Sequence, residues 1–228
     1  MLDLENCDII DLSHELHEEI PTWTGSCGFS YDVKMVYDDG VRVLKYTMHA
    51  GIGTHLDAPS HFIQGGKHVG AIPLEQCVAA LVVLDFTEKC HENLMISRED
   101  LLDKEIPKGC FVAIYTGWEK YWDDRDRYAN YDHDGIKRFP GLLGEAAELL
   151  VERGVVGLGI DTLSPDGSNQ DDFPVHRAIL GSGSYIIENM KNLGKVPSHG
   201  AYIIALPPKV KEGSEIILRP IALCPTKK

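Results

Sequence analysis

Short runs of apolar and β-branched residues recur along the chain, and each run is bounded by glycine, proline or charged residues. Runs of this length and composition predict buried β-strands. The predicted strands are Val41–Met48, Ala79–Asp85, Phe111–Tyr115, Val155–Ile160, Tyr185–Ile187 and Ala201–Leu206.

Two helices are predicted between these strands. Apolar residues from Leu142 to Leu150 recur at helical spacing, and Gly154 is placed to end that helix in a left-handed turn. A second, shorter helix is predicted to begin near Pro174 and to run to Gly181. A helix, a glycine turn and an apolar strand in succession indicate a buried, partly parallel sheet. The pattern therefore predicts a mixed α/β fold.

The rest of the chain adds no second unit to this pattern. The stretch Glu119–Phe139 is acidic and aromatic without a clear period, which predicts a long surface loop. No repeat and no Gly/Ser/Pro-rich linker divides the 228 residues. We therefore expect a single domain over residues 1–228.

Charge and hydropathy exclude several classes of partner. The chain has 35 acidic against 22 basic side chains and a formal charge of −13, which argues against a nucleic-acid binder. Its apolar runs, such as Val78–Leu84, fall far short of the roughly 20 residues of a membrane helix. The acidic start of the chain does not resemble a signal peptide. We expect a cytoplasmic protein that acts on a small-molecule substrate.

Several catalytic motifs are missing. Gly-x-Gly begins at Gly51, Gly157 and Gly181, but none has the third glycine of a dinucleotide fingerprint. There is no Gly-x-Ser-x-Gly elbow and no Walker sequence, which argues against a serine hydrolase or a P-loop enzyme.

The strongest local signal is a cluster of histidines, four of which lie between His49 and His68. If the strand from Tyr46 is extended through Asp57, alternate positions are apolar, and the opposite face carries His49, His55 and Asp57. An imidazole and a carboxylate two residues apart lie about 6.6 Å apart on one face and can converge on one ion. Nitrogen and oxygen ligands without thiolate favour zinc or manganese. The alternative is a polar strand edge with solvated histidines.

This segment resembles the signature of the cyclase family of metal-dependent hydrolases, whose best-known members are bacterial kynurenine formamidases. The resemblance continues through blocks in the same order along most of the chain. The blocks are Asp8–His14, Pro21–Gly25, Gly53–Phe62, Tyr115–Trp118, Phe139–Gly141 with Glu145–Ala147, Gly159–Ser164, Val175–Leu180, Ile187–Asn189 and Ala201–Pro207.

The resemblance implies a fold, a site and an assembly. The family fold is a mixed-sheet swivelling β/β/α domain that forms homodimers or higher homo-oligomers. By resemblance, zinc or manganese, as one or two ions per chain, is expected here. The implied metal ligands are His55, Asp57, His176 and Glu188; the implied general acid/base is His61; and the residue implied near the substrate is Trp23.

One position departs from the family. A histidine usually stands four residues before the one that matches His55, and this chain has Gly51 there. In a straight strand His49 would lie about 20 Å from His55. A bulge at Gly51 and Gly53 can return His49 to the site. Alternatively, the first metal position loses a ligand, which leaves a site built mainly from Asp57, His176 and Glu188.

The implied reaction is hydrolysis of an N-formyl aryl amide such as N-formylkynurenine, of a cyclic amide or of a lactone. A Zn²⁺ or Mn²⁺ ion lowers the pKa of its water from 15.7 toward about 7 and polarises the carbonyl. His61 would take the water proton and return it to the leaving group, a role suited to histidine. The alternative is a catalytically altered relative that binds metal or a small molecule without turnover.

Overall fold

The computed structural model describes residues 6–25, 28–168 and 171–226. Within these ranges the chain forms thirteen strands and five α-helices. The strands are β1 (Cys7–Asp11), β2 (Phe29–Met35), β3 (Val43–Met48), β4 (His55–Asp57), β5 (Val78–Asp85), β6 (Met95–Ile96), β7 (Phe111–Tyr115), β8 (Gly141–Leu142), β9 (Gly157–Ile160), β10 (Tyr185–Glu188), β11 (Ala201–Ile204), β12 (Glu215–Ile217) and β13 (Ile221–Pro225). The helices are α1 (Leu74–Cys77), α2 (Glu99–Leu102), α3 (Arg125–Ala129), α4 (Gly144–Glu152) and α5 (Pro174–Gly181).

Nine of the strands form one mixed sheet in the order β1-β13-β11-β5-β7-β9-β10-β4-β12. The central pairs β5–β7, β7–β9 and β9–β10 are parallel, and the outer pairs are antiparallel. The predicted α/β fold with a partly parallel sheet is therefore confirmed. Strands β4 and β12 lie at one edge of this sheet, next to β10.

The two faces of the central strands are buried against different layers. On one face, Val112 and Ile114 pack with Ala146 of α4 and Ile179 of α5. On the other face, Phe111 packs in a second apolar cluster that contains residues of β10, β11 and β13. Alternate residues of one strand point to opposite faces, so strands buried on both faces read as continuous apolar runs. This is why the sequence pattern located them.

Both predicted helices are present. Helix α4 covers Gly144–Glu152 and is followed by Gly154 in a left-handed conformation (φ +73°), as expected of a helix stop. Helix α5 covers Pro174–Gly181 and has proline in its first turn. Backbone N–H groups in the first turn of a helix have no acceptor within the helix, so proline costs no hydrogen bond there.

The predicted buried strand Val41–Met48 is wrong in its burial. Its strand part is β3, which among the described residues pairs only with β2, in a separate two-stranded hairpin, and most of its residues are exposed. The extension of this strand through Asp57 is wrong as well. Strand β3 ends at Met48 and β4 begins at His55 in the other sheet, with Gly53 left-handed (φ +59°) between them.

The predicted surface loop Glu119–Phe139 is also corrected. It contains the helix α3, and its large residues Trp122, Tyr128 and Phe139 are buried in a third apolar cluster. The indole of Trp118, just before it, donates to the carbonyl of Tyr128. The aromatic side chains of this segment therefore form a small core of their own, which a search for helical or strand periods does not detect.

Candidate metal centre

Three elements bring four polar side chains together in the interior. Strand β10 pairs with β4 in a register that places Glu188 opposite His55. His55 and Asp57 are two residues apart in β4 and so share one face of the sheet. Helix α5 packs on β10 and adds His176 from its first turn. All four side chains are buried.

The imidazole Nε2 atoms of this group face the carboxylates. Nε2 of His55 lies 3.6 Å from Oδ1 of Asp57 and 3.4 Å from Oε2 of Glu188. Nε2 of His176 lies 3.4 Å from Oδ2 of Asp57 and 3.3 Å from Oε1 of Glu188. Each carboxylate therefore faces both histidines, with one oxygen toward each.

The outer nitrogens of both rings have partners that fix their orientation. Nδ1 of His55 lies 3.0 Å from the carbonyl oxygen of Gly53. Nδ1 of His176 lies 2.5 Å from Oδ2 of Asp166. If each Nδ1 carries the proton and donates it outward, each Nε2 turns a lone pair toward the carboxylates. Metal-binding histidines in proteins are held in this way.

The charges of the cluster favour a cation. Burial disfavours the charged form of His55, but Asp57 and Glu188 outweigh burial and raise the pKa of His55. Burial also opposes the charged form of His176, yet its hydrogen bond to Asp166 and the nearby carboxylates of Asp57 and Glu188 raise its pKa well above the ordinary value. The carboxylates therefore attract positive charge strongly enough to overcome desolvation.

A divalent ion fits this donor set. Oδ1 of Asp57 is buried and has no hydrogen-bond partner among the described residues. A buried carboxylate oxygen without a partner is costly unless a proton or an ion satisfies it. The described side chains His55, Asp57 and Glu188 offer ligand atoms that all lie within 4.8 Å of one another. Histidine nitrogen with carboxylate oxygen is the donor chemistry of zinc and manganese sites.

The cluster forms the floor of a cavity of about 330 Å³. His61 also lines this cavity, on a single 3₁₀ turn that directly follows β4. Its Nδ1 lies 3.7 Å from Oε2 of Glu215, and its side chain is 30% exposed. His61 is thus beside the buried cluster and open to the cavity.

Aromatic side chains form one wall of the cavity. Trp23, Phe62 and Phe173 line it, with Phe173 between the other two at ring-centroid distances of 5.9 and 5.4 Å. Above the Trp23 ring lies the ammonium group of Lys137, 3.8 Å from the ring centroid. Trp23, predicted near the substrate, therefore lies at the cavity.

His49 does not join the central cluster. It lines the cavity but is exposed, and its ligand atoms belong to none of the metal-compatible groups within the described ranges. The space beside Gly51 is instead occupied by the carboxylate of Glu215, the first residue of β12.

Sequence reasoning missed two residues of the site and left a third undecided. Asp166 orients His176, and Glu215 lines the cavity, yet neither lies in a periodic segment. The sequence left two roles open for Asp161: it could orient a histidine, or it could cap the end of a strand. The structure shows that it caps the strand end. Its carboxylate accepts hydrogen bonds from Thr116 and from the backbone N–H of Trp118.

The chain is thus a mixed α/β protein with a buried His/Asp/Glu cluster, compatible with a metal ion, near one edge of its sheet. The family model described as "Putative cyclase" matches residues 10–167. The chain belongs to this cyclase family, which confirms the recognition made from the sequence.

Relatives and solved structures extend the likeness to nearly the whole chain. An isatin hydrolase of Roseibium aggregatum is 29% identical over 188 residues, which cover 76% of this chain and 71% of the relative. A kynurenine formamidase of Bacillus cytotoxicus is 28% identical over 222 residues, covering 93% and 97%. The solved structure of isatin hydrolase A from Ralstonia solanacearum is 29% identical and superposes with a TM-score of 0.89 over 96% of this chain and 93% of the other.

Within the described parts of the chain, no helix has the length and apolar character needed to cross a membrane.

Proposed function

We propose that the protein is a metal-dependent hydrolase that cleaves an aromatic non-peptide amide, either an N-formyl aryl amide or a cyclic amide, with His61 as general acid/base. The enzyme class, a hydrolase of the cyclase family, follows from the family match and from relatives named kynurenine formamidase and isatin hydrolase. The choice of substrate, the metal and the role of each residue are our proposals.

The observation that carries the proposal is the arrangement of the four buried side chains. Two Nε2 atoms face two carboxylates at 3.3 to 3.6 Å, and both Nδ1 atoms have partners on the far side. A structural hydrogen-bond network would instead place donors and acceptors within about 3.2 Å of each other. The longer separations, together with the ligand atoms of His55, Asp57 and Glu188 that lie within 4.8 Å of one another, support an ion at this site.

In this proposal His55, Asp57, His176 and Glu188 hold one Zn²⁺ or Mn²⁺ ion. When bound, such an ion is a Lewis acid for the carbonyl and lowers the pKa of water toward about 7, which supplies hydroxide at neutral pH. The protein fixes the ligand orientation through Gly53 and Asp166. It also excludes bulk water, since the ligand side chains are at most 8% exposed.

His61 moves the proton. Its Nδ1 faces Glu215, so Nε2 is the ring atom available to the reactants. Nε2 takes a proton as water attacks the carbonyl carbon, and it returns that proton to the amide nitrogen as the C–N bond breaks. A formyl amide and water thus give an amine and formate, and a cyclic amide and water give an amino acid in which both new groups stay on one molecule. General acid/base catalysis of this kind typically contributes 10²–10⁴-fold.

The cavity wall supports an aromatic substrate. Trp23, Phe62 and Phe173 offer ring faces and edges to a planar group, and a cavity of about 330 Å³ is at the small end of ligand sites. The relatives named isatin hydrolase and kynurenine formamidase motivate the two substrate classes.

Metal removal and replacement test the proposal. The protein is stripped with a chelator and assayed on an N-formyl aryl amide and on isatin, before and after addition of Zn²⁺ or Mn²⁺. We expect no turnover by the stripped protein and recovery with one equivalent of ion. Glu188→Gln should lose more than about 100-fold in metal affinity, because a ligand loss should exceed the 10–100-fold cost of an outer-shell change. Glu99→Gln, at an exposed position, is the matched control. Metal binding without turnover of either substrate would overturn the catalytic part of the proposal.

We also infer that the protein forms a homodimer or a larger homo-oligomer through the β2–β3 hairpin. This hairpin exposes apolar side chains at its tip and along its strands, with Tyr37 76%, Tyr46 55% and Val33 48% exposed. Several exposed apolar side chains on one hairpin are a candidate interface, because large exposed apolar surface commonly marks one. Light scattering on wild type and on Tyr46→Lys tests the inference, since a monomer in both would contradict it.

A further inference from the structure

The space that a side chain at position 51 would need is already occupied. A Cβ atom added to Gly51 would overlap Oε2 of Glu215 and lie 2.9 Å from its Cδ. Gly51 is not among the glycines with a left-handed backbone, so its conformation does not demand glycine. The Glu215 carboxylate therefore lies where a side chain at position 51 would begin, and in the family motif that side chain is a histidine.

Glu215 also lies opposite Asp57. In the antiparallel pair β4–β12, the register places these two residues directly across from each other. Directly opposed side chains share a face, and two like charges there are destabilising. Oδ1 of Asp57 is buried and has no hydrogen-bond partner among the residues described. The pair therefore presents two carboxylates to the same small space, and Oδ1 of Asp57, which also faces His55 in the first site, has no hydrogen-bond donor to offset their charge.

A histidine completes this second group. Nδ1 of His61 lies 3.7 Å from Oε2 of Glu215. Ligand atoms of Asp57, His61 and Glu215 all lie within 4.8 Å of one another. We propose that these three side chains form a second divalent-cation site, which shares Asp57 with the first and in which Glu215 replaces the ligand missing at Gly51.

The second site should be the weaker of the two. It has three protein ligands, against four for the first site. The side chains of His61 and Glu215 are 30% and 27% exposed, whereas those of His55, His176 and Glu188 are 7%, 5% and 8% exposed. Exposed ligands are solvated and must be ordered on binding, so less of their attraction for the ion remains as affinity.

An ion in the second site inhibits the enzyme. This consequence rests on the proposed function, in which His61 carries the proton. A histidine whose nitrogen ligates a metal cannot also act as the general base, because ligation requires the neutral ring and removes its basic lone pair. Turnover should therefore rise with the first equivalent of ion and fall by at least about 10-fold as the second site fills.

Calorimetric titration of the stripped protein with Zn²⁺ alone, with metal content measured after dialysis, tests the site without reference to activity. We expect two equivalents in wild type, the second with at least about 10-fold weaker affinity. Glu215→Gln should bind one equivalent, and the exposed-site control Glu148→Gln should bind two. One equivalent in wild type overturns the second site and leaves the proposed function standing. No bound ion in wild type overturns the proposed function itself. Two equivalents in Glu215→Gln overturn the assignment to Glu215.

An exchange of the two positions provides a second test. Gly51→His combined with Glu215→Ala restores the ligand that the family motif carries and removes the side chain that blocks it. We expect this double variant to regain the second equivalent that Glu215→Ala alone loses. If the double variant binds one equivalent while remaining folded, the two positions do not substitute for each other and the inference is wrong.

The assay completes the test. Wild type assayed across a Zn²⁺ titration should show a rising and then a falling limb, and the falling limb should be missing in Glu215→Gln. If turnover falls at the same Zn²⁺ concentration in both proteins, an ion in the second site is not the inhibitor.

Discussion

Nδ1 of His176 and Oδ2 of Asp166 lie 2.5 Å apart in the interior of the protein. Asp166 also accepts hydrogen bonds from the backbone N–H groups of Val175 and His176 at the start of α5. One carboxylate therefore fixes both the beginning of the helix and the ring that the helix carries. The orientation of His176 toward Asp57 and Glu188 depends on this single side chain.

Asp166→Asn should weaken metal binding by about 10–100-fold, the usual cost of losing an outer partner of a ligand histidine. The asparagine amide keeps one acceptor oxygen but has an N–H₂ group in place of the other. This group is a donor, so it cannot accept the hydrogen bonds that the N–H groups donate to Asp166. Titration calorimetry with Zn²⁺ measures the change. Asp103→Asn, on the surface, is the control and should bind as wild type does. Equal affinities in Asp166→Asn and wild type would show that Asp166 has no influence on the site.

Trp23→Ala should impair aromatic substrates selectively. The ring lines the cavity and packs 5.9 Å from Phe173, so its loss removes an aromatic contact of about 1–2 kcal/mol, or roughly 5–30-fold in KM. Trp23→Phe should recover most of this. An aliphatic formamide should be cleaved equally by all three proteins. A uniform loss on both substrate types would mean that Trp23 supports the fold and not the substrate.

Gly159→Ala should destabilise the fold by about 1–3 kcal/mol. A Cβ atom there would overlap Sδ of Met190 and lie 2.9 Å from the ring of Phe111. The Gly-x-Gly sequence in β9 thus makes room for Phe111. Gly181→Ala is the control, because its added Cβ would meet only Ile63 at 3.9 Å within a helix, where alanine is favoured. Urea unfolding measures the free energy of unfolding of each variant. Equal values for both variants and wild type would refute the packing argument.

Asp161 should make stability depend on pH. Burial raises the pKa of its carboxyl from 3.8 to about 6 even though Thr116 donates to it. The folded state therefore binds the proton more tightly than the unfolded state, and the free energy of unfolding falls as pH rises through this window. Relative to Asp161→Asn, which cannot titrate, wild type should lose on the order of 1–3 kcal/mol between about pH 4 and 6. Urea unfolding in chelator at several pH values measures the difference, and a pH-independent difference would count against it.

The sequence located most of the central sheet because its strands are buried on both faces and read as apolar runs. The helices α4 and α5 were found by their spacing and their glycine and proline boundaries. The hairpin strand β3 has the same composition as a buried strand, so composition alone could not show that it is exposed. The cytoplasmic location, the single domain over 1–228, the identity of the metal and the number of ions stay predictions.

For the site, local sequence patterns could predict only the residues that lie together on one strand. His55 and Asp57 share a face by simple alternation, and this was visible in the sequence. His176 and Glu188 came from the family resemblance, because helix α5 and strand β10 meet β4 only through the sheet topology. Glu215 lies 158 residues beyond Asp57 in the chain and opposite it in the sheet, a relationship that no local pattern can reveal.

The most direct test of the central claim is the turnover of His61→Asn loaded with a single equivalent of Zn²⁺. Asparagine keeps a polar side chain of similar reach but cannot carry the proton. We expect kcat/KM for the cleaved amide to fall by about 10²–10⁴-fold while one equivalent of ion stays bound. Unchanged kcat/KM in this variant would contradict the proposed mechanism.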